Sequence, residues 1–235
     1  MLLKLIIFSG FAGVTVFMGG LLANYFNHHV KDSPVKYEIT HTMMSFGAGI
    51  ILAAVALVLI PYGMDHLNVL PMTLSFVLGA LLFMFLDHYL EQKGGKTATL
   101  LAMLMDFVPE SIALGAVFAV HEQMAVLLAI IIGLQNLPEA FNSFRDLVLS
   151  VFTIKKTLTI FFFLSFFGIV GSLLGHYFLT ESTTLTAHLM TFASGGILYL
   201  LIQDIIPASK LDKSYLISLG ATAGFLVGII GSKIV

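Results

Sequence analysis

Apolar stretches of about twenty residues, the length a helix needs to cross the hydrocarbon core of a bilayer, recur along this chain from end to end. Eight can be drawn, over roughly 2–26, 39–61, 69–89, 98–120, 124–146, 158–179, 186–208 and 214–233. The connections between them are short and leave no room for a soluble domain. Only 10% of the 235 residues are charged and 58% are hydrophobic, with a mean hydropathy of +1.01. A soluble domain carries about 25% charged residues, so this chain has too few to cover a surface facing water. The first stretch holds one lysine, Lys4, and no small-residue cleavage site, so it reads as a span rather than a removable leader. The expected fold is therefore all-α, a polytopic membrane protein of eight transmembrane helices, with the lipid bilayer as its first partner. There is no cysteine, which excludes disulfides, iron–sulfur clusters and thiolate metal sites. No basic run follows a phosphate backbone, so nucleic acid is not an expected partner.

The basic residues orient the spans. Lys31, Lys36, Lys93, Lys96, Arg145, Lys155, Lys156, Lys210 and Lys213 all flank the first, third, fifth and seventh connections. They are nine of the eleven; Lys4 and Lys233 sit at the termini. Odd-numbered connections should face the cytoplasm, which leaves both termini on the extracytoplasmic side. An error of one helix would scramble this alternation, so the charges also support the count.

The segments repeat. Phe46-Gly47-Ala48-Gly49-Ile50-Ile51-Leu52 runs on to Ile60-Pro61, and Phe192-Ala193-Ser194-Gly195-Gly196-Ile197-Leu198 runs on to Ile206-Pro207 at the same spacing. Gly19 to Phe26 resembles Gly171 to Phe178 in the same way. The third and eighth segments match weakly, through Gly79 and Gly224. By the charge assignment each segment runs opposite to its partner. The pattern predicts one transmembrane domain over 1–235: a first repeat over about 1–90, a central helix pair over about 98–146, and an inverted second repeat over about 158–235. Chance similarity among apolar helices is the rival explanation; several matches that agree with the topology weigh against it.

The central pair carries the chemistry. Asp106-Phe107-Val108-Pro109-Glu110 aligns with Gln135-Asn136-Leu137-Pro138-Glu139. Asp106 and Glu110 are four apart and share a helix face; Gln135, Asn136 and Glu139 are four and three apart and do likewise. Pro109 has no N–H for the Met105 carbonyl, and Pro138 none for that of Leu134. The expectation is a cluster of carboxylate, amide and carbonyl oxygens at membrane depth. A carboxylate there costs several kcal/mol unless paired or facing a cavity, and no Lys or Arg lies at that depth. A divalent metal or protons would supply the missing charge. Protonated acids serving as polar contacts between helices, and a proton relay alone, are the alternatives. Met105 is a candidate soft ligand. Gln203, Asp204, Asp65 and His66, near the ends of the seventh and second segments, are candidates for a pathway. Asp87-His88 and His28-His29 could receive a released ion, or sit on the surface. Small-residue faces at Gly10-x-x-Gly13 and Gly224-x-x-x-Gly228 allow helix packing or a homodimer.

At these residues the chain resembles the ZIP (Zrt-/Irt-like) family of divalent metal transporters, along its full length. That family has eight helices in a 3+2+3 arrangement with both termini outside. Its fifth helix carries Gln/His, Asn/Asp/Glu, x, Pro, Glu/His, which Gln135-Asn136-Leu137-Pro138-Glu139 fits. Its seventh helix ends in an acidic-x-Ile-Pro pattern, similar to Asp204-Ile205-Ile206-Pro207. Its fourth helix carries His-Asn-x-Pro-Glu-Gly, and here the chain departs: Asp106, Phe107 and Ser111 stand where the family has His, Asn and Gly. The sixth segment also lacks the acid that often serves a second metal position in the family. The resemblance implies a transporter and not an enzyme, with zinc, iron or manganese as transported substrate, no permanently bound cofactor, and uptake toward the cytoplasm by alternating access. The implied metal ligands are Asp106, Glu110, Gln135 and Glu139, with Asn136. Replacing imidazole by carboxylate hardens the site toward manganese, magnesium or ferrous iron. The rival functions are a proton-coupled transporter of a non-metal solute and a metal-dependent intramembrane hydrolase.

Overall fold

A computed structural model describes residues 1–93, 98–150, 152–211 and 214–234. These are helical almost throughout, with no strand among the described residues. Lys96 and Lys213, two of the charges used above to orient the chain, lie outside the described residues.

The helices are α1 (Leu2–His29), α2 (Pro34–Ala54), α3 (Ile60–His66), α4 (Val69–Lys93), α5 (Ala98–Phe118), α6 (Glu122–Ser150), α7 (Ile154–Leu164), α8 (Phe167–Leu179), α9 (Thr183–Leu200), α10 (Ile206–Ser209) and α11 (Leu216–Ile234). Local chemistry explains several starts. The Ser33 hydroxyl accepts from the Lys36 N–H, with Pro34 in the first helical turn of α2. Thr153 and Ser182 do the same for α7 and α9.

Among the described residues, seven helical segments are long and apolar enough to cross a membrane: Leu2–His29, Pro34–His66, Val69–Gln92, Glu122–Leu149, Ile154–Leu179, Thr183–Ser209 and Leu216–Ile234. This is the make-up of a multi-pass integral membrane protein. The remaining expected span, 98–120, corresponds to the 21-residue α5. The apolar windows of Pro34–His66 and Glu122–Leu149 are each 67% buried, whereas that of Val69–Gln92 is 17% buried. So α2 and α6 lie at the centre and α4 at the edge. The edge presents apolar side chains such as Leu74, Leu78 and Phe85 outward, while Asp106, Glu110, Gln135 and Asn136 are buried. Large apolar groups outside and acids inside is the distribution a bilayer selects.

Three spans are less regular than their hydropathy suggests. Between α2 and α3, residues Val55–Leu59 form a π turn, closed by the Ile60 N–H donating to the Val55 carbonyl. Leu201–Ile205 form another between α9 and α10, closed by Ile206 donating to Leu201. Each is followed at once by a proline, Pro61 or Pro207. A proline cannot donate to the carbonyl four residues back and its ring crowds that carbonyl, so the preceding turn widens. The third irregularity breaks the span over 158–179 at Ser165–Phe166. There the Ser165 carbonyl comes against Gly13 of α1, so closely that a Cβ on Gly13 would overlap it.

The helix pairs that pack most extensively are α1 with α6, α2 with α11, α4 with α9, and α5 with α8. Glycine makes these approaches possible. Gly49 and Gly224 bring α2 and α11 together, each facing a carbonyl of the other helix (Ala221 and Phe46). Gly79 and Gly195 do the same for α4 and α9, against Phe192 and Phe76. Gly115 and Gly175 join α5 to α8 through the carbonyls of Ser172 and Ile112. Backbones this close gain dispersion contacts over their whole length, the main attraction available between helices in lipid. The small-residue faces at Gly10–Gly13 and Gly224–Gly228 thus pack within the chain, against α8, the α7–α8 turn and α2.

Candidate functional site

The proline-containing helices α5 and α6 pack against each other, and each keeps its proline inside the helix. Because Asp106 and Glu110 share one face of α5, and Gln135 and Glu139 one face of α6, four polar side chains converge between them. The Gln135 Nε2 donates to the Glu110 Oε2 at 2.6 Å. Asp106, Glu110 and Gln135 are 4%, 0% and 0% exposed, so neither water nor lipid reaches them freely.

Three oxygens in this cluster are buried and accept no hydrogen bond: Asp106 Oδ1, Glu110 Oε1 and Gln135 Oε1. A buried acceptor left unsatisfied costs about 1–3 kcal/mol, and more when charged. Buried orphans are scattered elsewhere, at Asn24, Thr42 and His176. Among the described residues, only here do three come from facing residues of two packed helices. Glu139, Glu110 and Asp204 are near enough for their charges to act on Asp106. No lysine or arginine side chain forms an ion pair with any of the four among the described residues. The arrangement is rich in oxygen acceptors and poor in donors, which suits a hard cation or protons.

Glu139 is only partly buried. With Gln135 it lines a cavity of about 150 Å³ whose wall includes Met103, Asn142, Ser143 and Asp204. Asp204 sits in the π turn before α10 and is the residue through which the cluster reaches further acids. Its carboxylate oxygen lies within 4.8 Å of carboxylate oxygens of Asp87 and Glu91 on α4. The Tyr199 hydroxyl donates to Asp87 Oδ2 at 3.1 Å. Glu91 is exposed and Asp87 largely buried. Glu91 did not figure among the sequence candidates. The i,i+4 spacing of Asp87 and Glu91 was visible, but their meeting with Asp204 depends on α4 packing beside α9.

The other candidates separate. Asn136 is 2% exposed, but its Nδ2 donates to the Ala12 carbonyl of α1 at 3.0 Å, so its amide ties two helices together. Asn136→Ala is therefore expected to lower stability by about 1 kcal/mol while leaving metal affinity within about twofold. Thermal unfolding and metal titration of the purified variant check this, and a large affinity loss without destabilisation would return Asn136 to the ligand set. Met105 is half-buried and lies outside the cavity wall; Met103, three residues before Asp106 and hence on its face, lines it instead. Gln203 is exposed and does not line the cavity, although its neighbour Asp204 does. Asp65 and His66 are exposed at the end of α3, with the His66 ring stacked on Tyr62. They stand about 20 Å of helix beyond Ile51, the last residue of α2 in the cavity wall. Phe107 is buried against Gly168 of α8 and offers no ligand atom.

No protein-family model matches the chain, and no curated protein matches it.

Proposed function

We propose that this protein carries divalent metal cations across the membrane, binding them between α5 and α6 through Asp106, Glu110, Gln135 and Glu139. The observation that carries the reading is the set of three buried, unsatisfied oxygens on facing helices, with no Lys or Arg ion pair to them among the described residues. A metal ion replaces the missing hydrogen bonds and the missing positive charge in one step. Protons would also turn a carboxyl into a donor for a neighbouring acceptor, so direct metal binding is what separates the two readings. The resemblance of Gln135-Asn136-Leu137-Pro138-Glu139 and Asp204-Ile205-Ile206-Pro207 to the ZIP family supports the same reading.

The mechanism proposed is alternating access by a 3+2+3 bundle of eight helices with inverted repeats. Several packing details support the repeat. The π turns fall at matched places before Pro61 and Pro207. Gly49 and Gly195 make equivalent approaches to carbonyls of the neighbouring helix, as do Gly224 and Gly79. Gly19 meets Ala140 where Gly171 meets Ser111, and the two members of each pair are matched residues of the repeat. The cavity beside Glu139 and the carboxylates of Asp204, Asp87 and Glu91 offer a route for the ion toward one end of the bundle. By the positive-inside rule the proposal places that end in the cytoplasm and both termini outside, and the ZIP resemblance implies uptake.

Reconstitution into vesicles with a metal-sensing dye tests the reading. Uptake of at least one of manganese, ferrous iron and zinc is expected; a null result with every divalent ion would defeat it in favour of a proton-coupled solute transporter. The donor set also makes a prediction about selectivity. Asp106→His adds an imidazole, a better zinc ligand than a carboxylate, so it is expected to raise zinc uptake relative to manganese by about tenfold. Competitive uptake measures the ratio, and an unchanged ratio would remove Asp106 from the ligand set.

A further inference from the structure

A polar recess lies away from α5, where the end of α1, the start of α2, the end of α6 and the start of α7 meet. It holds about 280 Å³ and is lined by Asn24, Asn27, His28, Lys36, Tyr37 and Arg145, with Asp32 at its edge. The sequence put these residues at the basic ends of the spans, but not in one pocket.

Its charges are unequally committed. Lys36 donates to the Val30 carbonyl at 2.9 Å and pairs with Asp32 at 3.0 Å, so those two charges cancel. Asp32 is the one carboxylate in the pocket wall. Arg145 is less committed: among the described residues its guanidinium has no ion pair within 4.0 Å and donates no hydrogen bond, although the neighbouring Asp146 carboxylate feels its charge. Its guanidinium carbon lies 5.3 Å from the centroid of the Tyr37 ring, a cation–π contact that uses none of its N–H donors. Arg145 is half-buried, so bulk water satisfies its five donors only in part. Asn24, Asn27 and His28 add further polar groups around it.

We propose that this recess binds a phosphate-ester anion, held by the Arg145 edge and His28, at the basic end of the bundle. A basic pocket between transmembrane helices at that level is where an anionic lipid headgroup sits, and its phosphate matches a guanidinium bidentately. A free phosphate offers the same chemistry. The site is independent of the metal between α5 and α6, and its test does not require transport.

The full-length protein in detergent is titrated with short-chain phosphatidylglycerol, with phosphatidylcholine, and with inorganic phosphate, and binding is read by native mass spectrometry. Phosphatidylglycerol should bind in preference to phosphatidylcholine, and Arg145→Gln should weaken it about tenfold, the loss expected for one charge-assisted pair. Lys155→Ala, at the same end but outside the pocket wall, should leave binding unchanged. Asn27→Asp places a second carboxylate in the wall and should weaken binding even if Arg145→Gln fails to fold. Binding of inorganic phosphate with the same dependence on Arg145 identifies a free anion as the ligand and retains the site. Binding that ignores both pocket substitutions, or falls equally with Lys155→Ala, reflects diffuse charge and overturns the proposal, as does the absence of binding in every arm.

Discussion

Replacing both Glu110 and Glu139 by glutamine is expected to abolish saturable metal uptake while leaving a folded protein in the membrane. The substitution keeps the shape of each side chain and removes only the charge. The isolated orphan at Glu110 Oε1 becomes one end of an amide, and the buried cluster becomes cheaper to bury, not dearer. Stability should hold or rise, and binding should fail. Loss of a group that merely orients a ligand costs about 10- to 100-fold in metal affinity, so removing two ligands should cost at least about 100-fold. Metal-dependent thermal shift separates the two effects. Wild type should gain stability with metal by mass action, and the variant should start at or above the wild-type midpoint and gain nothing. If the variant still shows the wild-type gain, the metal binds elsewhere, whatever happens to flux.

The second large effect is on the fold. Gly115→Val should prevent accumulation of the protein or lower its stability by about 3 kcal/mol or more, the upper range for overpacking. A Cβ at this position would run into the backbone carbonyl of Ser172, and into its Cα at 2.7 Å, so no rotamer relieves the clash. Where a flexible side chain faces the glycine, the neighbour can give way. At Gly231 the facing atom is the Leu127 Cδ1 at 2.7 Å, so Gly231→Ala should cost far less. Membrane yield and detergent-phase melting of the two variants measure the contrast. Equal behaviour would mean that α5 and α8 are free to separate. Position 115 also lies on the helix that carries Asp106 and Glu110, so partial rescue at low temperature should come with reduced metal affinity.

Much of this molecule is legible in its sequence because hydrocarbon imposes a simple rule. Apolar stretches of fixed length must be helices, so the boundaries of α1, α4 and α11 follow closely from hydropathy. Asp106, Glu110, Gln135 and Glu139 stand out for the same reason: acids and amides are costly where everything around them is apolar. What stays hidden is whatever depends on how one helix lies against another. The i,i+3 spacing to Glu139 puts Asn136 on the polar face of α6, but only the crossing of α1 reveals that its donor is taken by Ala12. Met105 attracts notice as a neighbour of Asp106 in the chain, yet helical rotation makes Met103 the one that reaches the cavity. Arg145 reads as one more topology-setting charge until α2 brings Tyr37 against it. The widened turns at Val55–Leu59 and Leu201–Ile205 leave no mark on hydropathy at all; only the following prolines hint at them.

Those widened turns divide each of their helices into unequal parts. The longer part is fastened: Gly49 on α2 and Gly195 on α9 bind it to a neighbour by backbone contact. The part beyond the turn is short, seven residues in α3 and four in α10. A helix bends most easily where its hydrogen-bond ladder is already interrupted. Each spliced helix is therefore a clamped beam with a hinged tip. Both tips are the C-terminal ends of their helices, and the turn that carries Asp204 is one of the hinges. Gly63 also holds the α3 tip against the Thr191 side chain of α9, whereas α10 contains no glycine, so the tip beside Asp204 is the freer of the two to swing.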